Sequence, residues 1–117
     1  MIGLSFPPSI FLSTRACDMR KSIDGLCGEV REYIGCDPMN GTLFVFYNRQ
    51  RDKIKLLLWG TDGYWVFYKR LEAGKFQQPL ISTETTHVSL DGSQLQLILS
   101  GIDLSTVKRL KRFHANP

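Results

Sequence analysis

The chain is predicted to fold as an α+β protein: an antiparallel β-sheet (meander) with a helix packed on one face, a short C-terminal helix and a basic tail. Three observations lead there. Strand-like runs at 42–48, 53–59 and 64–70 follow one another across short connections, as in an antiparallel meander. Residues 17–35 instead carry apolar side chains at three- and four-residue spacing, one face of a helix. A Leu-rich segment ends at Gly101 and precedes a run of cations.

Taken in order, Pro7 and Pro8 fix an extended start, and "SIFLS" at 9–13 reads as a short strand. Met19, Ile23, Leu26, Val30 and Tyr33 or Ile34 form the helical stripe. Asp18 or Ser22 is placed to cap its start and Gly35 to end it, and Pro38 forbids continuation. Gly25 and Gly28 each weaken the helix interior by about 1 kcal/mol relative to Ala, which a close approach to the sheet would explain. "DPMNG" at 37–41 is turn chemistry.

In the strands that follow, alternation puts Ile54, Leu56 and Leu58 on one face and Lys53, Lys55, Leu57 and Trp59 on the other. "GTDG" at 60–63 is short enough for a hairpin. Beyond it Trp65, Phe67 and Lys69 oppose Tyr64, Val66, Tyr68 and Arg70. "LEAGKFQQP" reads as a turn and an edge segment ended by Pro79, and 85–90 as one more strand. The short helix takes Ser89 as its cap, Leu90, Leu95, Ile98 and Leu99 as its covered side, and Gly101 as its stop. We divide the chain into one domain, 1–104, and a basic tail, 105–117; no internal repeat is visible.

Composition narrows the function classes. The chain has 117 residues, 43% hydrophobic and 22% charged, enough for one core without staples. A net charge of +4 and a pI of about 9.1 favour an anionic partner. Cys17, Cys27 and Cys36 are odd in number, lack CxxC spacing and lie far from His87 and His114, so no metal site is expected. Reduced thiols in the cytoplasm are the simpler reading. No apolar run approaches the roughly 18 residues of a membrane span, and the N-terminus does not read as a secretory signal. Asp52, Asp62 and Glu72 stand singly among bases, unlike the clustered carboxylates of a metal-dependent nuclease. We expect no catalytic residues, no cofactor and no enzyme activity.

The stretch "RQRDKIKLLLWGTDGYWVFYKR" at 49–70 sets dense positive charge beside rings. If Ile54, Leu56 and Leu58 point at the helix, Lys53 and Lys55 point away with Trp59. That outer face would meet phosphates with its cations and bases with its rings. An ordinary solvated face or a protein-docking face fits the same pattern. The candidate nucleic-acid-binding residues are Arg20, Lys21, Arg49, Arg51, Lys53, Lys55, Trp59, Tyr64, Lys69, Arg70 and Lys75. Lys108, Arg109, Lys111 and Arg112 of the "KRLKR" tail join them.

Three stretches also resemble a known family. They are "CDMRKSIDGL" at 17–26, "GTLFVFYNRQRDKIKLLLWGTDGYWVFYKRLEAGKF" at 41–76, and Pro79 just after. The chain is similar there to the small TnpB accessory proteins of the bacterial insertion sequence 66 transposon family. The shared pattern marks Asp18, Met19, Arg20 and Lys21, then Arg49, Asp52, Lys55 and Trp59, then Lys69, Arg70, Gly74, Lys75 and Phe76. Cys17 stands where the family often has Thr, and Gln78 where many members have an aromatic. The resemblance implies a role in transposition beside a separate, larger transposase that carries the catalytic acids. DNA and that transposase are the expected partners. A docking module without DNA contact and a metal-dependent nuclease are the rival readings.

Overall fold

The computed structural model describes residues 6–79, 84–103 and 108–109. The chain runs through β1 (Ile10–Ser13), α1 (Ile23–Glu29) and a π-helical turn (Val30–Ile34). Then follow β2 (Leu43–Tyr47), β3 (Lys53–Gly60), β4 (Gly63–Arg70) and β5 (His87–Leu90), and finally α2 (Gly92–Ser100), β6 (Ile102–Asp103) and β7 (Lys108–Arg109). The main sheet has five strands in the order β4-β3-β2-β1-β5, and β6 pairs with β7 separately. The α+β architecture therefore stands, with each predicted strand of the meander in place.

One pairing departs from a pure meander. β1 runs parallel to β2, with Ile10 opposite Leu43, whereas β2–β3, β3–β4 and β1–β5 are antiparallel. The physical reason is the connection: parallel neighbours need a long crossover, and α1 with its flanking loops supplies it. β2 is thereby central, and all five of its residues are buried. A strand covered on both sides reads as a continuous apolar run.

The helix stripe closes as expected at Gly35. Its N–H reaches Val30 O at 2.8 Å, one residue further back than in an α-helix, and Gly35 adopts φ 81°, which costs little without a Cβ. Ser22 occupies the N-cap position without a side-chain bond to the helix. Asp18 instead accepts the Arg20 N–H at 2.9 Å in the loop before it. The glycines of α1 do not mark a close approach to the sheet. A Cβ on Gly25 would meet the Lys21 side chain at 2.9 Å, and one on Gly28 would meet nothing within 4 Å.

The larger correction concerns which helix covers which face. Leu26, Cys27, Val30 and Ile34 pack on Phe44, Phe46 and Leu57, the face that also carries Lys53, Lys55 and Trp59. Ile54 and Leu56 lie instead with Leu95 and Ile98 of α2 and with Phe76. Alternation separates two faces but does not say which neighbour lands on each. Both faces are covered, so the sheet has no free outer surface across its centre.

Two C-terminal details also differ from expectation. α2 is capped by Asp91: its carboxylate accepts the Gln94 N–H at 2.7 Å while the Gln94 side chain accepts the Asp91 N–H at 2.9 Å, a capping box. Ser89 lies in β5 opposite Phe11. Gly101 ends the helix at φ 82°. The segment after β4 is not a strand. It turns at Gly74, φ 77°, and folds back so that the Phe76 N–H bonds Arg51 O at 2.7 Å and its ring is fully buried. No helix among the described residues is long and apolar enough to cross a membrane.

Candidate functional site

Four elements build a cleft of about 600 Å³ at the end of β3 and β4 remote from their hairpin. The 16–20 loop forms one wall and Asn48, Arg49 and Gln50 another, with Lys53 of β3 and Tyr68 of β4 completing it. The 16–20 loop is held by two anchors. The Cys17 N–H bonds Tyr47 O at 2.8 Å. The Lys55 ammonium reaches up from β3 to Met19 O at 2.7 Å and Lys21 O at 2.8 Å. The opposite wall is stiffened by Asn48: its side chain accepts the Lys53 N–H at 3.0 Å and donates to Asp52 at 2.6 Å. That bond holds the Asp52 carboxyl below its ordinary range.

Three predicted cations meet at this cleft. Arg20 extends almost fully into solvent, tied by its guanidinium to Asp18 at 2.7 Å. The same bond pulls the Asp18 carboxyl down to about 2. Arg49 is exposed. Lys53 stands 3.9 Å from Asp52, a loose pairing. Arg49 also lines an adjoining hollow of about 150 Å³ with Arg51 and Arg15.

The other predicted residues lie elsewhere, and the single positive sheet face does not form. Lys21 and Arg15 both bind Glu29, at 2.9 and 2.8 Å; Arg15 first, then Lys21, hold that buried carboxyl below its usual range. Arg15 also lies 4.0 Å over the Tyr33 ring. Lys55 is turned inward, as described above. Lys69 sits on the opposite face, its ammonium 2.9 Å from Leu99 O at the end of α2, where the helix dipole favours a cation. Arg70 is opposite Lys53 in the sheet and pairs with Glu72 at 2.8 Å. Lys75 is exposed on the turn that delivers Phe76.

Trp59 and Tyr64 are cross-strand partners that pack edge to face, ring centroids 4.9 Å apart. They stand six residues along β3 from Lys53, roughly 20 Å at the rise of a strand, so they take no part in the cleft. Lys108 and Arg109 lie in β7, and Lys111 and Arg112 lie outside the described residues. Among the described residues there is no group of His, Cys, Asp or Glu that could hold a metal ion.

One feature of the cleft and one of its adjoining hollow escaped sequence reasoning. Tyr68 is 54% exposed, with the Lys55 ammonium 5.2 Å from its ring centroid. Its position on the Lys53 face followed from alternation, which carried no sign that the face ends in a cleft. Arg15 had no signal beyond its charge, because Glu29 and Tyr33 come to it only through the packing of α1.

The same surroundings account for several motif positions without any ligand. Gly74 turns the chain and Phe76 fills the core. Asp52 braces the 48–53 loop and Lys55 braces the 16–20 loop. Comparison with known proteins then adds a family. A family model described as IS66 Orf2-like protein matches residues 8–109. The uncharacterized protein y4jC of Sinorhizobium fredii is 32% identical over 109 residues, covering 93% of this chain and 92% of its own. The uncharacterized protein y4hO of the same organism is 34% identical over 94 residues, covering 80% of each. No solved structure gives a significant match.

Proposed function

The chain belongs to the IS66 Orf2-like family, which carries a transposition-associated accessory role, and on that premise we propose that it serves transposition by gripping DNA at the cationic cleft. The observation that carries this reading is the meeting of Arg20, Arg49 and Lys53 around one concavity, with Arg15 and Arg51 beside it. Cations spread along a groove bind phosphates and release counterions, a largely sequence-independent grip. The basic residues of 108–112 extend that grip. The separate transposase performs the strand chemistry, and both act in the cytoplasm.

The test is a titration of element-end DNA at two salt concentrations with the intact chain and an Arg49→Ala/Lys53→Ala double variant. Each phosphate contact contributes about −0.9 to the log–log salt slope, so losing two of them should make it shallower by about 1.8. Weak binding that ignores salt, or a double variant with the full slope, would remove the cleft from the interaction.

A second reading has its own observation. β4 is an end strand of the sheet, and it presents Trp65, 61% exposed and stacked on Phe67 at 6.3 Å. An aromatic on the end strand of a sheet suits a transposase docking by strand addition. Capture of the transposase from nuclease-treated lysate that Trp65→Ala abolishes would favour this docking over direct DNA contact.

A further inference from the structure

We propose that the cleft takes an unpaired nucleotide, so that the protein prefers DNA with a single-stranded end over intact duplex. The proposal rests on the DNA-binding reading above and names the form of DNA that the site fits.

Shape is the first argument. Duplex recognition by groove reading calls for a protruding helix or ribbon that enters the groove. Neither helix offers a basic outer face. The exposed side chains around α1 and its π-helical turn include Asp24 and Glu32 beside Arg31, and those of α2 include Ser93, Gln96 and Ser100. The cations surround a concavity instead. Its volume of about 600 Å³ lies within the roughly 300–1,000 Å³ of clefts that enclose small ligands.

Chemistry is the second argument. Tyr68 gives the cleft an aromatic wall that is half exposed. The Lys55 ammonium, itself fixed by Met19 O and Lys21 O, lies over that ring and holds its position. An unstacked base finds a π-face there, and base–aromatic stacking is sequence-tolerant. Arg49, Lys53 and Arg20 then take the flanking phosphates. Within an intact duplex the bases are already stacked on each other, and no face away from the ends is free for Tyr68.

The experiment is fluorescence anisotropy of the full chain at one low salt concentration. Three labelled probes of one arbitrary sequence are compared: a blunt duplex, the same duplex with a single-stranded overhang, and the single strand. The overhang and single strand are expected to bind about tenfold tighter than the blunt duplex, the size of one stacking interaction. Tyr68→Ala should erase that difference, while Tyr68→Phe should keep it. Tyr68 is a surface ring, and circular dichroism checks that each variant folds. Equal wild-type affinity for blunt and overhang DNA overturns the proposal, as does a Tyr68→Ala variant weakened alike on all three. If duplex binding depends on Arg49 and Lys53 but shows no preference, only the nucleotide pocket is refuted. If none of the probes binds, the DNA reading fails with it.

Discussion

Lys55 is the sharpest test of how this molecule uses its charge. Its ammonium donates to Met19 O at 2.7 Å and to Lys21 O at 2.8 Å, so replacing it by Met keeps the stem but orphans two carbonyls. A hydrogen bond to a charged group contributes roughly 1.5–3 kcal/mol, so two give about 3–6 kcal/mol at most. The side chain is only half-buried, and water recovers part of this, leaving an expected loss of about 2–3 kcal/mol for Lys55→Met. With a urea m-value of about 1–3 kcal/mol per M for a small domain, the midpoint should fall by roughly 0.7–3 M. Equilibrium unfolding followed by circular dichroism reads this directly. The salt slope of DNA binding should stay as it is, since the ammonium faces backbone. An unchanged midpoint together with a slope reduced by about 0.9 would make Lys55 a phosphate contact and refute the strut.

Three further outcomes follow from the packing. Phe76→Ala removes a fully buried ring from the α2 side of the sheet and should cost about 3–5 kcal/mol; a thermal midpoint within a degree or two of wild type would contradict that burial. Glu29 has a folded pKa lowered by Arg15 and Lys21, so the unfolded chain binds its proton more readily. Stability from this group is present above the ordinary value of 4.5 and is lost as pH falls through the lowered folded value. Acid titrations of stability should therefore be shallower in Glu29→Gln than in wild type. Gly60→Ala places a Cβ 2.8 Å from the Trp65 indole nitrogen, so the ring must shift. A changed Trp emission spectrum is expected, whereas the same change at Gly63, where a Cβ meets nothing within 4 Å, should leave emission alone.

Much of the candidate site could be named in advance, but its assembly could not. Arg20, Arg49 and Lys53 stood out by charge and motif, and the structure brings them together around one cleft. Lys55, Lys69 and Arg70 looked the same in the sequence and were taken up by a loop, a helix end and Glu72. A long cationic side chain has reach enough to serve whichever acceptor the fold brings near, so its partner is not written in its neighbours along the chain.

Strand alternation, the turn residues and Gly35 and Gly101 made the elements and their stops readable, because those signals act within a few residues. Side-chain parity likewise sorted Ile54, Leu56 and Leu58 from Lys53, Lys55 and Leu57. The crossover that makes β1 parallel to β2, the choice of face for each helix, the return of Phe76 into the core and the concavity between the 16–20 and 48–50 loops all depend on residues far apart in the chain. Their contacts form only when the whole sheet packs, and a period-two pattern stays identical whichever helix settles on it.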